Sequence, residues 1–232
     1  MLTQIETGTF PARPLKSIVG RNTPSAEKKQ SNLGEAIALM GAAVDYDRNN
    51  EIYGDGEPSE YIYKVVSGAI RIYKILDDGR RQINGFYLPG DILGIEATDN
   101  HHFSAEAVVK SQLLVVKRST IFALAARQHE IASDLWSLTA RELGHVQNLM
   151  ITLGRKSAHE RVAAFLLEMA KRSRNLTIEL PMSRQDIADY LGLTVETVSR
   201  TFTQLENERA IELPVSRRVV VRNKNLLSQL DA

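Results

Sequence analysis

Apolar positions along the chain change period three times, and each change predicts a different kind of element. Residues 1 to about 30 have no sustained period and carry Pro11, Pro14 and Pro24 among polar and small residues, the pattern of an arm or tail. Leu33, Ile37 and Met40 then recur at spacings of four and three, which predicts a short helix over residues 31 to 40. From residue 46 to 117 the apolar runs shorten and alternate with turn chemistry: Gly54-Asp-Gly56-Glu-Pro58, Ser67-Gly68, Asp77-Asp78-Gly79 and Pro89-Gly90-Asp91. Strands are predicted over residues 61–66, 69–76, 80–88, 105–109 and 113–117. So many short strands, spaced near ten residues apart, predict an antiparallel sandwich or barrel.

Near Ser119 the period becomes helical and holds to about Gly154, with a break expected around Gln128. Within this run Thr139, Leu143, Val146, Met150 and Leu153 repeat at spacings of four, three, four and three. That is heptad spacing, which packs one helix along a twin, although the same stripe would also serve for packing on the barrel. Leu135, Leu138 and Leu149 form a second apolar line that can face the barrel. A helix with two apolar lines usually has two partners, and all eight residues are taken as the candidate dimerisation set.

After Gly154, Ser157 and Glu160 form a capping box that starts a helix filled by residues 162 to 169. Ser183 and Asp186 form a second capping box, and Ile187, Ala188 and Leu191 give a short apolar stripe that ends at Gly192. Glycine enters the left-handed conformation of a tight inter-helix turn without steric cost. Thr194 can cap the next helix, whose inward face is Val195, Val198, Phe202 and Leu205. Its outward face is then Glu196, Thr197, Ser199, Arg200 and Thr203. Two short helices joined in this way predict a helix-turn-helix. Residues 211–213, 214–216 and 217–222 read as strand, turn and strand, so the whole is a winged helix.

Composition sharpens this in three respects. The chain has 232 residues, 25% charged and 43% hydrophobic, ordinary values for a globular protein of one large or two modest domains. The overall charge of +1 conceals an asymmetry, since residues 155–232 carry net +3 and residues 1–154 net −2. A basic excess at the helix-turn-helix end suits a phosphate backbone. The absence of cysteine excludes disulfides, thiolate metal sites and iron–sulfur clusters in this chain and fits a reducing compartment. No apolar stretch reaches the roughly 18 residues of a membrane span, and no basic-then-apolar order marks a secretory signal at the N-terminus. A cytoplasmic protein is expected.

Two stretches carry a family resemblance: Leu153-Gly-Arg-Lys-Ser-Ala-His-Glu-Arg-Val-Ala-Ala-Phe-Leu166 and Asp186-Ile-Ala-Asp-Tyr-Leu-Gly-Leu-Thr-Val-Glu-Thr-Val-Ser-Arg200. With the order of β-roll, long helix and winged helix, they resemble the CRP/FNR superfamily of transcription regulators. The resemblance lies within the FNR branch, close to the FixK-type regulators of rhizobial oxygen-responsive cascades that control nitrogen fixation. It spans about residues 35 to 225 and leaves the first thirty unexplained.

The resemblance implies an α+β fold: an N-terminal arm (1–30), a cyclic-nucleotide-binding-like antiparallel β-roll (31–118), a central dimerisation helix region (119–154) and a winged helix-turn-helix (155–232). It implies a homodimeric activator, not an enzyme, that binds double-stranded DNA at a TTG/CAA palindrome and recruits RNA polymerase. On the FNR-type pattern Glu196, Ser199 and Arg200 read bases. Arginine can donate twice to guanine, glutamate accepts from cytosine, and serine adapts to either. The plainer alternative is that Glu196 complements the helix N-terminus and Arg200 is a solvated cation. Ser183, Arg184, Thr194 and Thr197 lie at helix starts and Arg217 and Arg218 in the wing, where they suit backbone phosphates or serve equally as caps and surface charge.

The switches of the superfamily are missing from the sequence. Pro89-Gly-Asp-Ile-Leu-Gly94-Ile-Glu96 keeps the corner of the nucleotide-binding relatives but inserts Ile95, and Phe103 stands where their phosphate-binding arginine should be. A buried phosphate without a cation is disfavoured, so no cyclic nucleotide is expected. Nor is any other cofactor or metal: the five histidines show no ligand spacing, and His101-His102 falls in an expected loop where solvation is the default. Two other readings remain, a regulator gated by a different ligand in the roll and, more remotely, a cupin-type metalloenzyme.

Overall fold

The computed structural model describes residues 32–173 and 175–231; the expected N-terminal arm lies outside them. A first helix, α1 (Asn32–Met40), buries Leu33 and Ile37 but leaves Met40 38% exposed, because the helix ends there and the chain turns into a strand. Eight strands follow: β1 (Ala42–Tyr46), β2 (Glu51–Tyr53), β3 (Tyr61–Ser67), β4 (Ile70–Ile75), β5 (Arg81–Tyr87), β6 (Ile92–Leu93), β7 (Ser104–Ala107) and β8 (Ser111–Lys117). They form two antiparallel four-stranded sheets in the orders β1-β8-β3-β6 and β2-β7-β4-β5.

The two-residue period of β3 divides its side chains between two layers. Tyr63 and Val65 enter an inter-sheet cluster with Tyr53, Ile70, Ile72, Leu93 and Leu113, while Ile62 joins Leu33, Ile37, Ile121 and Ile131 beneath the helices. The glycine of the Ser67-Gly68 turn is required by both backbone and space. Its φ is +87°, and an added Cβ would lie 2.1 Å from Ser111 Oγ.

The helical run breaks where the sequence placed the break. Helix α2 (Arg118–Ala125) is separated from α3 (His129–Arg155) by Gln128, which is extended at φ −125° and ψ 108°. At the other end of α3, Lys156 is extended at φ −88° and ψ 144°. Helix α4 (Ala158–Ser173) then starts on its expected box: Glu160 Oε2 accepts from Ser157 N at 2.6 Å and Ser157 Oγ from Glu160 N at 3.4 Å.

The remainder is β9 (Thr177–Glu179), α5 (Arg184–Leu191), α6 (Val195–Asn207), β10 (Ile211–Val215), β11 (Arg218–Val221) and α7 (Lys224–Asp231), with a wing sheet in the order β10-β11-β9. The two sheets, long helix and winged helix thus make the α+β architecture expected of the sequence. Among the described residues no helix is long and apolar enough to cross a membrane. One buried cluster takes Ala69, Ile83, Phe86 and Val108 from the roll together with Phe165, Tyr190, Val198 and Phe202 from the winged helix.

Candidate nucleic-acid interface

Helix α5 begins on a full capping box. Ser183 Oγ accepts from Asp186 N at 3.1 Å, and Asp186 Oδ2 accepts from Ser183 N at 2.9 Å and from its hydroxyl at 2.7 Å. It ends at Gly192, which is left-handed at φ 62° and ψ 40°. Helix α6 then starts on Thr194, whose Oγ1 accepts from Thr197 N at 3.2 Å. Val198, Phe202 and Leu205 are sealed in the core, with Thr201 beside them.

The opposite face of α6 is open. Glu196, Ser199 and Arg200 are exposed. Glu196 and Arg200 sit four residues apart, both exposed, and neither forms an ion pair among the described residues. Ser199 Oγ donates back to Val195 O at 2.8 Å, a bond a hydroxyl can exchange by rotation.

The expected phosphate contacts are less uniform. The hydroxyls of Ser183 and Thr194 are engaged in capping, and Thr197 Oγ1 lies 3.0 Å from Thr194 Oγ1. Arg184 sits over Phe202, its guanidinium carbon 3.4 Å from the ring centroid, and burial pushes its pKa down to about 10, still fully charged at neutral pH. In the wing, Arg217 reaches Pro181 O at 3.5 Å, whereas Arg218 is paired with Glu179. Arg217 is therefore the freer of the two.

An ion cluster behind α5 has no local signal in the sequence. Asp186 Oδ1 accepts from Arg71 Nη1 and Arg81 Nη2, both at 2.9 Å, and Arg81 also holds Asp189 Oδ2 at 2.7 Å. Arg71 reaches Glu106 at 2.8 Å as well. Asp186 lies 115 residues from Arg71 and 105 from Arg81 in the chain, so no local pattern could reveal these pairs.

Burial by itself would raise the Asp186 carboxyl, but hydrogen bonds from Ser183 and the charges of Arg71 and Arg81 outweigh it and hold the group below the ordinary carboxylate range. A depressed folded-state pKa gives stability that is present above the unfolded-state value and is lost as pH falls through the folded one. Wild-type unfolding free energy, measured by urea titration, should therefore drop between about pH 5 and pH 2 more steeply than that of Asp186→Asn. Equal slopes would remove Asp186 as the cause.

The candidate dimerisation residues separate into two groups. Leu143, Val146 and Met150 are exposed at 58%, 43% and 69%, Thr139 is exposed on the same line, and Trp136 at 75% extends it. Leu135 and Leu138 instead pack on the cluster under α1, while Leu149 and Leu153 pack on the winged-helix core. Of the eight candidate residues, Thr139, Leu143, Val146 and Met150 are therefore open to solvent, whereas Leu135, Leu138, Leu149 and Leu153 pack against other elements of their own chain.

In the roll, Phe103 packs on the inter-sheet cluster beside Tyr53 and Tyr63. The ammonium of Lys74 lies 5.9 Å from the Phe103 ring centroid and is paired with Asp55 at 3.1 Å. His101 corrects the expectation of a solvated loop histidine. It is 2% exposed, stacks on Tyr53 at 3.6 Å between ring centroids and lies 3.3 Å from Glu96 Oε1.

This architecture has known counterparts. A cyclic nucleotide-binding domain model matches residues 43–128, and a Crp-like helix-turn-helix domain model matches residues 160–230. The nitrogen fixation regulation protein FixK of Azorhizobium caulinodans is 47% identical over 213 residues, covering 89% of this chain and 86% of the relative. The chain belongs to the CRP/FNR family. Within that family it is also 41% identical to the transcriptional activatory protein AadR of Rhodopseudomonas palustris, over 76% of each chain. The structure of FixK2 from Bradyrhizobium japonicum superposes with a TM-score of 0.80 at 47% identity, covering 84% of this chain and 98% of that one. CRP/FNR members of this type are DNA-binding transcription regulators and not enzymes.

Proposed function

We propose that the chain is a homodimeric transcription activator that reads a TTG/CAA palindrome and brings RNA polymerase to the promoter without a small-molecule effector. One observation carries the reading. Helix α6 turns Glu196 and Arg200, without ion-pair partners among the described residues, to solvent around Ser199 while its other face is locked in the core. An exposed arginine and glutamate on the first two turns of such a helix suit donation to guanine and acceptance from cytosine in the major groove, which supports the reading. The names of the relatives support activation and a place in nitrogen-fixation control.

Dimerisation is supported by the exposed heptad line of α3, since a row of apolar side chains on one helix is stabilised by a twin. A twofold axis along it would place two copies of α6 about 34 Å apart, one turn of duplex. Leu143→Glu puts a charge into that line at a position that bears little on the monomer's own core. Sedimentation should then report a monomer, and affinity for the palindrome should fall roughly a hundredfold. A dimer that persists would move the interface elsewhere.

Effector independence is supported by the roll, where Tyr53 and Tyr63 are buried between the sheets, Phe103 packs against their cluster and Asp55 pairs with the nearby Lys74. The test is fluorescence anisotropy of the unmodified protein on a TTG/CAA palindrome and on a scrambled duplex at two salt concentrations. Strong preference for the palindrome is expected, and equal affinity would end the claim of sequence reading. A change in affinity on adding a small-molecule extract would replace effector independence with gating by a ligand.

A further inference from the structure

We infer that the Arg71, Arg81, Asp186 and Asp189 cluster is a positioning element that sets the angle at which the roll presents the winged helix, and with it the half-site spacing that a dimer accepts. The inference rests on the dimeric, palindrome-reading function proposed above and names residues that determine its specificity without touching DNA.

Backbone connection alone leaves the angle loose. The α3–α4 junction passes through Lys156 in an extended conformation, and the α5–α6 turn hangs on Gly192. Arg161 of α4 ties the end of α3 to the end of α5 through Leu153 O at 2.8 Å and Leu191 O at 2.9 Å, and the roll adds ties at the other end of α5. On one side Tyr87 Oη donates to Glu142 of α3 at 3.1 Å. On the other, β4 and β5 hold successive points on one face of α5: Asp186 through Arg71 and Arg81, Asp189 through Arg81, and the Tyr190 carbonyl through Gln82 Nε2 at 3.3 Å. With Arg161 holding one end of α5 to α3 and the roll holding its other end, the ion cluster fixes the remaining rotation of α5, and the tight turn hands it on to α6.

The chemistry of the cluster suits positioning better than adhesion. Apolar burial is non-directional, and a packed interface can slide at small cost. Guanidinium forks on carboxylates fix both distance and angle. A buried charge cluster is a poor source of net stability because desolvation consumes much of its attraction. Here Arg71 is 7% exposed and its Nε finds no acceptor among the described residues, so the cluster is not arranged for greatest stability. Asp186 also divides its two oxygens: Oδ2 starts α5 while Oδ1 takes both arginines. The carboxylate that starts α5 is also its tie to the roll, so the tie grips the helix at a rigid point and α5 cannot rotate on the roll without losing the bonds to Arg71 and Arg81.

The test compares duplexes carrying two TTG/CAA arms at the preferred spacer, at spacers one base pair shorter and longer, and a duplex with a single arm. Arg81→Met frees Asp189 but leaves Asp186 paired with Arg71. It should lose roughly five- to tenfold in affinity at the preferred spacer and much less at its neighbours, with single-arm affinity unchanged. Arg81→Lys, which keeps the charge, should recover part of the preference. Should Arg81→Met melt at the assay temperature, Asp189→Asn, which leaves Asp186 paired with both arginines, carries the same comparison. A variant with the wild-type ratio between spacers, whatever its overall affinity, overturns the proposal. A wild-type protein that binds two arms no better than one overturns the palindrome reading itself, and the positioning role falls with it.

Discussion

Replacing Arg200 with alanine is expected to weaken binding to a TTG/CAA palindrome by about 1–3 kcal/mol in each half-site. Because a dimer would use two copies, the loss on the full site is roughly twice that, the largest effect on binding anticipated for a single substitution here. Arg200 is exposed, unpaired and one turn into α6, so truncation should leave the fold intact and isolate the contact. The decisive comparison is among DNA sequences. If Arg200 reads a guanine, discrimination at one base pair per arm relaxes while other positions stay stringent. If it meets only phosphate, affinity falls uniformly and the salt dependence drops by about one unit of slope. Anisotropy on single-base variants at several salt concentrations separates the two, and a uniform loss would hand specificity back to Glu196 and Ser199.

Phe202→Ala should produce the largest loss of stability, about 3–5 kcal/mol. The ring is 1% exposed and sits in the cluster that also holds Val198, Leu205 and Phe165. Its removal opens a cavity and takes away the face on which Arg184 rests, leaving a partly buried guanidinium without that contact. Urea unfolding would measure the total, and Arg184→Met would report the cationic share. A loss near 1 kcal/mol would mean that the core collapses around the missing ring.

Local grammar carried much of this molecule in its sequence. The two capping boxes, at Ser157 with Glu160 and at Ser183 with Asp186, are sequence-near events, and both form as the residues dictate. The same holds for Gly192 and for the break at Gln128. What escaped falls into two physical kinds. Strands β1, β2, β6 and β9 and helix α7 are short, and β1 is exposed along most of its length, so no burial pattern marks them before their partners are known. Contacts of long separation form the other kind. Nothing near Arg71 announces Asp186, and nothing in the heptad line says that Leu153 turns toward the winged helix while Leu143 and Met150 stay outside, nor does the second apolar line say that Leu149 meets the winged helix. Among the candidate DNA residues, exposure on α6 was legible because a 3.6-residue period divides a helix into two faces. The engagement of Ser183, Thr194 and Arg218 by their own neighbours was not.

The cluster that joins Ile83 and Phe86 of the roll to Phe165 and Tyr190 bears on how far the molecule is modular. Phe86 lies 5.4 Å from Tyr190 and 6.4 Å from Phe165 between ring centroids, and Arg172 of α4 donates to its carbonyl at 2.8 Å. A winged helix cut free at Lys156 would bring these aromatic faces into water, and a roll cut free would do the same from its side. The halves resemble portable parts in their family profiles, yet each supplies the lid of the other's interior. Transplanting the reading head onto another roll would succeed only where the recipient offers side chains shaped like Ile83 and Phe86.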